Sequence, residues 1–366
     1  MSSGARIDRF FLYSTALLTT AGFFIFLSAS LGLLAQNGAS FGTVAAKQAV
    51  SLLMGAGAFY LFSRIDHAYL RKLALPILFG AVCLNLLIFV PWLAIHYNGA
   101  SRWINIGQVS VQPSEFLKLG FIIYLSAWIY FAKDRVKRMK YGLVPYVAIM
   151  AILGILLLVQ SDTDTLVIIG ATGIIMLWVA GMPIRHVFLA FLLMAAVVAG
   201  VVFMRPYAWE RVKVFLDPGA SSQSSSYQIN QAKIAIGSGG LLGRGFGKSI
   251  QKFGYLPQPT DDSIFAVAAE EFGFAGIMVL LALYCSFAAS ALRVGTRAPD
   301  AFGGFLSIGI AVLVIIESFL NMAAMLGLVP LSGVPLLFVS HGGTALIITL
   351  MAAGMVANIS RHPRGS

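Results

Sequence analysis

Apolar residues along this chain gather into long runs separated by short polar breaks. The runs lie near 11–35, 43–63, 73–95, 114–132, 142–161, 164–182, 186–205, 263–292, 302–328 and 338–360. Each is of the length a helix needs to cross the hydrocarbon core of a bilayer. They predict an all-α polytopic membrane protein with ten transmembrane helices, forming a single domain over residues 1–366. Only "QSDTDT" separates the fifth and sixth runs, which must form a tight hairpin. The largest polar interval, about 206–262, falls between the seventh and eighth. The first run is too long for a signal-peptide core, so an uncleaved first span is expected.

Composition supports this reading. Of 366 residues, 59% are hydrophobic and only 11% charged, more apolar surface than a soluble domain of this size can bury. The net charge of +11 follows membrane topology. Arg6, Arg9, Arg64, Arg71, Lys72, Lys133, Arg135, Lys137, Arg138, Lys140, Arg185, Arg293, Arg297, Arg361 and Arg364 all fall on one side of a ten-span arrangement. The short loops of the other side carry only Lys47 and Arg102. By the positive-inside rule both termini are cytoplasmic, and the 206–262 interval is a large extracytoplasmic loop. The basic charge therefore gives no reason to expect nucleic acid as a partner.

Three kinds of chemistry find no support. Cys83 and Cys285 lie in separate apolar runs and read as packing residues. His67, His96, His186, His341 and His362 have no zinc-like spacing. "GRGFGKS" resembles a phosphate-binding P-loop, but the Gly required five residues before Gly247 is Leu242, and no strand precedes it.

Polar motifs gather on the outer face. In "NGASRWINIGQVSVQPSEFLKLG" (98–120), Pro113 and Ser114 start a helix. Glu115 and Lys118 then share a face, either as a functional pair or as a self-neutralising lock on the helix entry. Arg102 is an interfacial anchor or an anion ligand. Asp162 and Asp164 sit in the fifth–sixth hairpin, where a carboxylate can cap the next helix. Arg211 and Lys213 lie in "YAWERVKVFLDP" (207–218), and Arg244, Lys248 and Lys252 in a Gly-rich stretch suited to meeting an anion. Asp261 and Asp262 precede the eighth span. Glu270 and Glu271 lie inside it, as functional groups or as links between helices.

Taken together these blocks resemble the SEDS family (shape, elongation, division and sporulation) of polytopic peptidoglycan glycosyltransferases. "NGASRWINIG…QPSEFLKL", "QSDTDT", "LPQPTDDSIFAVAAEEFGFAG" and "NMAAMLGLVPLSGVPLLFVSHGGT" match the family's blocks in order over nearly the whole chain. The resemblance implies polymerisation of lipid II, the undecaprenyl-pyrophosphate-linked disaccharide pentapeptide, at the outer leaflet. It also implies a class B penicillin-binding protein as partner. Asp262 aligns with the family's essential aspartate. Around it Gln258, Thr260, Asp261 and Ser263 depart from the family pattern, as do Ser161, Asp164, Leu337 and His341 elsewhere.

The expected roles are Asp262 as general base, and Lys118, Glu115, Arg102, Arg211, Asp162, Lys248, Lys252, Ser340, Gly342 and Gly343 as substrate-binding residues. A base must take the proton from the acceptor hydroxyl, and cations must stabilise the departing pyrophosphate. No metal ligand set is indicated, and a divalent-cation requirement stays open. The competing readings are a flippase for the lipid-linked precursor, with polar residues in the spans lining a path, and a non-catalytic scaffold for wall assembly.

Overall fold

Glycines and prolines break two of the apolar runs, at Gly273 and over residues 327–335. The computed structural model describes residues 7–35, 41–90, 92–97, 100–106, 109–217 and 224–362. In chain order the helices begin with α1 (Arg9–Ser30), α2 (Phe41–Phe62), α3 (His67–Lys72) and α4 (Ala74–Leu86). A small sheet follows, made of β1 (Ala94–Tyr97), β2 (Ala100–Ile106) and β3 (Val109–Val111). Then come α5 (Pro113–Ala132), α6 (Leu143–Val159), α7 (Thr163–Val179), α8 (Ile184–Met204), α9 (Pro206–Leu216) and α10 (Ser224–Ser238). The chain closes with α11 (Ile264–Thr296), α12 (Ala301–Leu326) and α13 (Gly343–Ser360). Seven of these helices are long and apolar enough to cross a membrane, namely α1, α2, α5, α8, α11, α12 and α13; α4, α6 and α7 are apolar but shorter. Arg6 and Arg364, two of the residues used to orient the chain, lie outside the described residues.

Three expectations change. The third run stops early, and the chain turns into the antiparallel sheet β1–β2–β3, with Ala94 opposite Ile104 and Ile104 opposite Val111. Ile104–Asn105–Ile106 against Val109–Ser110–Val111 alternates with the period of two that a half-buried strand requires. A composition-wide apolar signal hides that alternation. The interval 206–262 is not simply a loop, since it carries α9 and α10. The last run becomes helical only at Gly343. Before it, Gly327 ends α12 in the left-handed region (φ 71°), and Pro330 and Pro335 prevent the helix from resuming.

This irregular stretch, 328–342, lies within the bundle. Backbone that is not helical is tolerated at membrane depth only when protein satisfies it. Tyr284 Oη donates to the Leu337 carbonyl, and Leu336 N–H donates to Ser340 Oγ at 2.8 Å. Gly22 of α1 allows the close approach, because a Cβ there would stand 2.2 Å from the Phe338 carbonyl oxygen. The centre of the protein is built from α5, α12 and α13, whose apolar segments are mostly buried, whereas in α8 only Ala190 is buried.

A second break anchors the Gly-rich loop. Gly273 interrupts α11 with φ 65° and ψ −168°. The freed peptide groups pair with the loop instead: Arg244 N–H donates to Glu270 O (3.0 Å), Gly245 N–H to Glu271 O (2.9 Å) and Phe274 N–H to Gly240 O (2.9 Å). The Glu270 carboxylate accepts from Ser249 Oγ (2.6 Å) and from the backbone N–H groups of Ile250 and Gln251. The two glutamates therefore hold a loop to a helix. Gly243 sits where φ is +78° and a Cβ would meet the Glu271 carbonyl oxygen at 2.1 Å. Gly243→Ala is expected to destabilise the protein by about 1–3 kcal/mol, read as a lower melting temperature in detergent. Gly237→Ala, where a Cβ meets nothing within 4 Å, should not lower it.

Candidate active site

The polypeptide just before α11 is held in place from outside. Three consecutive carbonyls, those of Thr260, Asp261 and Asp262, accept hydrogen bonds from His341 N–H, Ser340 Oγ and Asn321 Nδ2, each at 2.8 Å. Gln258 takes a positive φ of 50°, and its carbonyl accepts from Asp261 N–H and Ser263 N–H at 3.2 Å. The segment is therefore a tight turn clamped by α12 and by the stretch before α13.

Two arginines meet this turn. Arg102 comes from β2 and Arg211 from α9. Gly333 marks where they converge: a Cβ built there would lie 3.6 Å from Asp262 Oδ2, 3.7 Å from Arg211 Nη2 and 3.8 Å from Arg102 Nη1. Arg211 Nη1 is 3.1 Å from Asp164 Oδ2. Arg102 Nη1 lies 3.7 Å from Asp164 Oδ2 and 3.8 Å from Asp162 Oδ1, and its Nη2 donates to the Ser161 carbonyl. Asp162 also caps α7, accepting from Thr165 Oγ1 at 2.9 Å and from Thr165 N–H at 3.4 Å.

Burial raises the Asp262 carboxyl to about 7; Arg211 and Arg102 oppose the rise and Asp164 adds to it. Asp261 is raised to about 7 by burial and by its neighbour Asp262. Both carboxyls therefore titrate near neutrality, the range in which a carboxylate accepts a proton effectively.

The other expected residues have separate places. Lys118 is buried, 2.9 Å from Glu115 Oε1 and 2.5 Å from Glu317 Oε1. The expected pair is thus a triad, with one ammonium and two carboxylates between α5 and α12. Lys252 is fully buried, its Nζ donating to Glu271 Oε1 (2.6 Å) and to the Ser28 carbonyl (2.9 Å). It joins the Gly-rich loop to α1. Lys248 is exposed on that loop. Gly342 is the N-cap position of α13, and Gly343 packs against Ser51, where a Cβ would be 2.9 Å from Oγ. His341 stacks on Phe26 at 5.4 Å and faces Gln48 Oε1 at 3.2 Å. No group of three or more His, Cys, Asp or Glu among the described residues is arranged to hold a metal ion.

Sequence reading passed over Gly333 and Asn321 and gave Glu317 no place at the site. Glu317 and Asn321 are four residues apart on α12, a spacing that puts both on one face; that was the available signal. In the structure, a carboxylate that titrates near 7 lies beside two guanidinium groups. The carboxylate can take a proton from a hydroxyl while the guanidiniums bind a phosphate or pyrophosphate.

Residues 8–365 match the family model described as "Cell cycle protein", covering FtsW, RodA and SpoVE. A probable peptidoglycan glycosyltransferase FtsW of Trichlorobacter lovleyi is 36% identical over 97% of this chain and 93% of its own. The stage V sporulation protein E of Bacillus subtilis is 34% identical over 85% of each chain. Among solved structures, a chain from work on the structural coordination of polymerization and crosslinking by a peptidoglycan synthase complex matches with a TM-score of 0.79. It is 25% identical and covers 97% of this chain and 98% of that one.

Removing the central charge of the triad tests how it is balanced. Lys118→Met leaves the Glu115 and Glu317 carboxylates buried without a cation and should cost about 3–5 kcal/mol, measured as thermal or denaturant stability in detergent.

Proposed function

This chain belongs to the FtsW, RodA and SpoVE family of cell cycle proteins, and on that premise we propose that it is a peptidoglycan glycosyltransferase that polymerises lipid II. The observation that carries the reading is the convergence of Asp262 Oδ2, Arg102 and Arg211 on Gly333. Asp262 takes the proton from the acceptor sugar hydroxyl. The freed oxygen attacks the anomeric carbon of the donor sugar, and the bond from that carbon to the pyrophosphate oxygen breaks. Arg102 and Arg211 then stabilise the departing lipid pyrophosphate, the charge that grows as the bond breaks.

The protein is a multi-pass membrane protein. In the reading adopted here the seven long helices and the three shorter apolar ones, α4, α6 and α7, make ten spans in the bacterial inner membrane. Both termini face the cytoplasm. Asp262, Arg102 and Arg211 then face the outer leaflet, where lipid II presents its sugars. A class B penicillin-binding protein is the partner that crosslinks the strands. The synthase complex to which a matching chain belongs supports that pairing.

Two experiments test the site. Purified protein incubated with lipid II should form glycan polymer, and Asp262→Asn should slow this by about 10²–10⁴-fold, the usual contribution of a general base. The rate should rise as pH increases through about 7, the value to which Asp262 is raised; Arg211→Ala should move that limb to higher pH. Folding raises the carboxyl above its ordinary 3.8, so its contribution to stability is full below that value and is lost as pH rises through 7. Asp262→Asn should therefore be more heat-stable than the parent at pH 8 and equal to it at pH 3. Full polymer synthesis by Asp262→Asn would reject the assignment.

The second experiment fills the cradle. At Gly333 a Cβ makes only ordinary contacts, and φ is not in the positive region, so Gly333→Ala should fold. Its methyl group would stand in contact with the Asp262 carboxylate and both guanidiniums. Polymer synthesis is expected to fall by about 10²-fold, the scale of a misplaced reactant, with the melting temperature unchanged.

A further inference from the structure

Two buried polar residues on α12 have no part in the proton transfer or in anion binding, yet one of them touches the site. Asn321 is fully buried. Its Nδ2 donates to the Asp262 carbonyl and to the Val334 carbonyl, both at 2.8 Å. Those carbonyls belong to the two chain segments that bound the cradle, since Val334 follows Gly333. A single amide therefore sets the gap between the carboxylate and the segment that faces it.

Glu317 is fully buried one turn earlier on the same helix. It accepts from Lys118 Nζ at 2.5 Å and 2.7 Å, and Lys118 is held in turn by Glu115 at 2.9 Å. Lys118 and Glu115 belong to the first turns of α5, the helix that leads directly out of the sheet carrying Arg102. Glu317 thus locks the face of α12 that bears Asn321 against α5, the helix that continues from the sheet carrying Arg102. Its charge is not needed for neutrality: without Glu317, Lys118 and Glu115 remain a one-to-one pair. A buried carboxylate that the charge balance does not require calls for another role, because burying it is costly.

We propose that Glu317 and Asn321 form a positioning device. Glu317 fixes α12 against α5, and Asn321 carries that fix to the backbone of Asp262 and Val334, so that the Asp262 carboxylate stands at its working distance from Arg102 and Arg211. Both are positioning residues, acting through Asp262. The kinetic part of the inference rests on the reading of Asp262 as the base; the structural part does not.

The test is a double-mutant cycle in lipid II polymerisation, joined to hydrogen exchange. Asn321→Ala is expected to lower kcat by about 30–100-fold and Glu317→Leu by about tenfold, with KM within about threefold of the parent, because the base is displaced while the anion ligands stay. Glu317→Gln keeps an acceptor for Lys118 and should retain kcat within about threefold. Because the two residues act along one path, Glu317→Leu with Asn321→Ala together should be no more than about twofold slower than Asn321→Ala alone. In the folded Asn321→Ala protein, amides 258–263 and 332–341 should exchange faster, and this holds whether or not the protein polymerises lipid II.

Multiplying effects in the double variant would overturn the proposal. So would parental kcat in Asn321→Ala, equal loss in Glu317→Gln and Glu317→Leu, or unchanged exchange in the two segments. If the parent itself makes no polymer, the proposed function fails, and the exchange measurement still decides whether Asn321 positions the two segments.

Discussion

The structure turns on one constraint, that peptide groups inside an apolar bundle must find partners. The carbonyls of Thr260, Asp261 and Asp262 take donors from elsewhere in the protein, Asp261 in addition to a long bond of 3.4 Å from Ile264 N–H at the start of α11. Donors from His341, Ser340 and Asn321, far along the chain, satisfy them. Because of this, the segment can stay a tight turn and present a carboxylate where a helix would present its end. The stretch before α13 depends on the same bonds, since its own irregular backbone is stabilised by α11, α12 and Ser340. Each of the two non-helical segments thus makes the other affordable inside the protein.

Charges in the interior follow a similar logic, and three clusters show it. Lys252 sits against Glu271 while Glu270 caps backbone N–H groups; every charge there is matched by a cation or by peptide donors, and the result is mechanical. Lys118 lies between Glu115 and Glu317, which leaves a carboxylate in excess and ties two central helices together. At Gly333, two guanidiniums meet Asp162, Asp164 and Asp262. In this last cluster two guanidiniums stand beside a carboxylate, Asp262, that burial raises to about 7. These are the conditions for binding an anion and moving a proton.

The architecture was largely legible in the pattern of apolar runs, because a helix that crosses a bilayer needs a length and a composition that few other structures share. The breaks were less legible. The strands at 94–111 alternate over only a few residues, and the kink at Gly273 depends on the loop at 240–245 that pairs with it. Arg102, Asp162, Arg211 and Asp262 could each be named from local motifs, as separate patches on one face. Lys252 could be named as a cation but not as a buried one, since a lysine in a Gly-rich loop carries no local sign of the direction in which it points.

What the sequence by itself determined was the membrane class, the approximate helices, the family and a set of candidate residues for the chemistry, because these depend on composition, periodicity and short motifs. Only the tertiary structure decided that Asp262 and the two arginines meet at Gly333, that Lys118 has a second carboxylate partner, and that Asn321 bridges Asp262 and Val334. Those facts rest on contacts between residues tens to hundreds of positions apart. The physical reason is that a side chain's partner is chosen by how helices pack and by which backbone groups still lack a hydrogen bond, and neither is written in the local sequence.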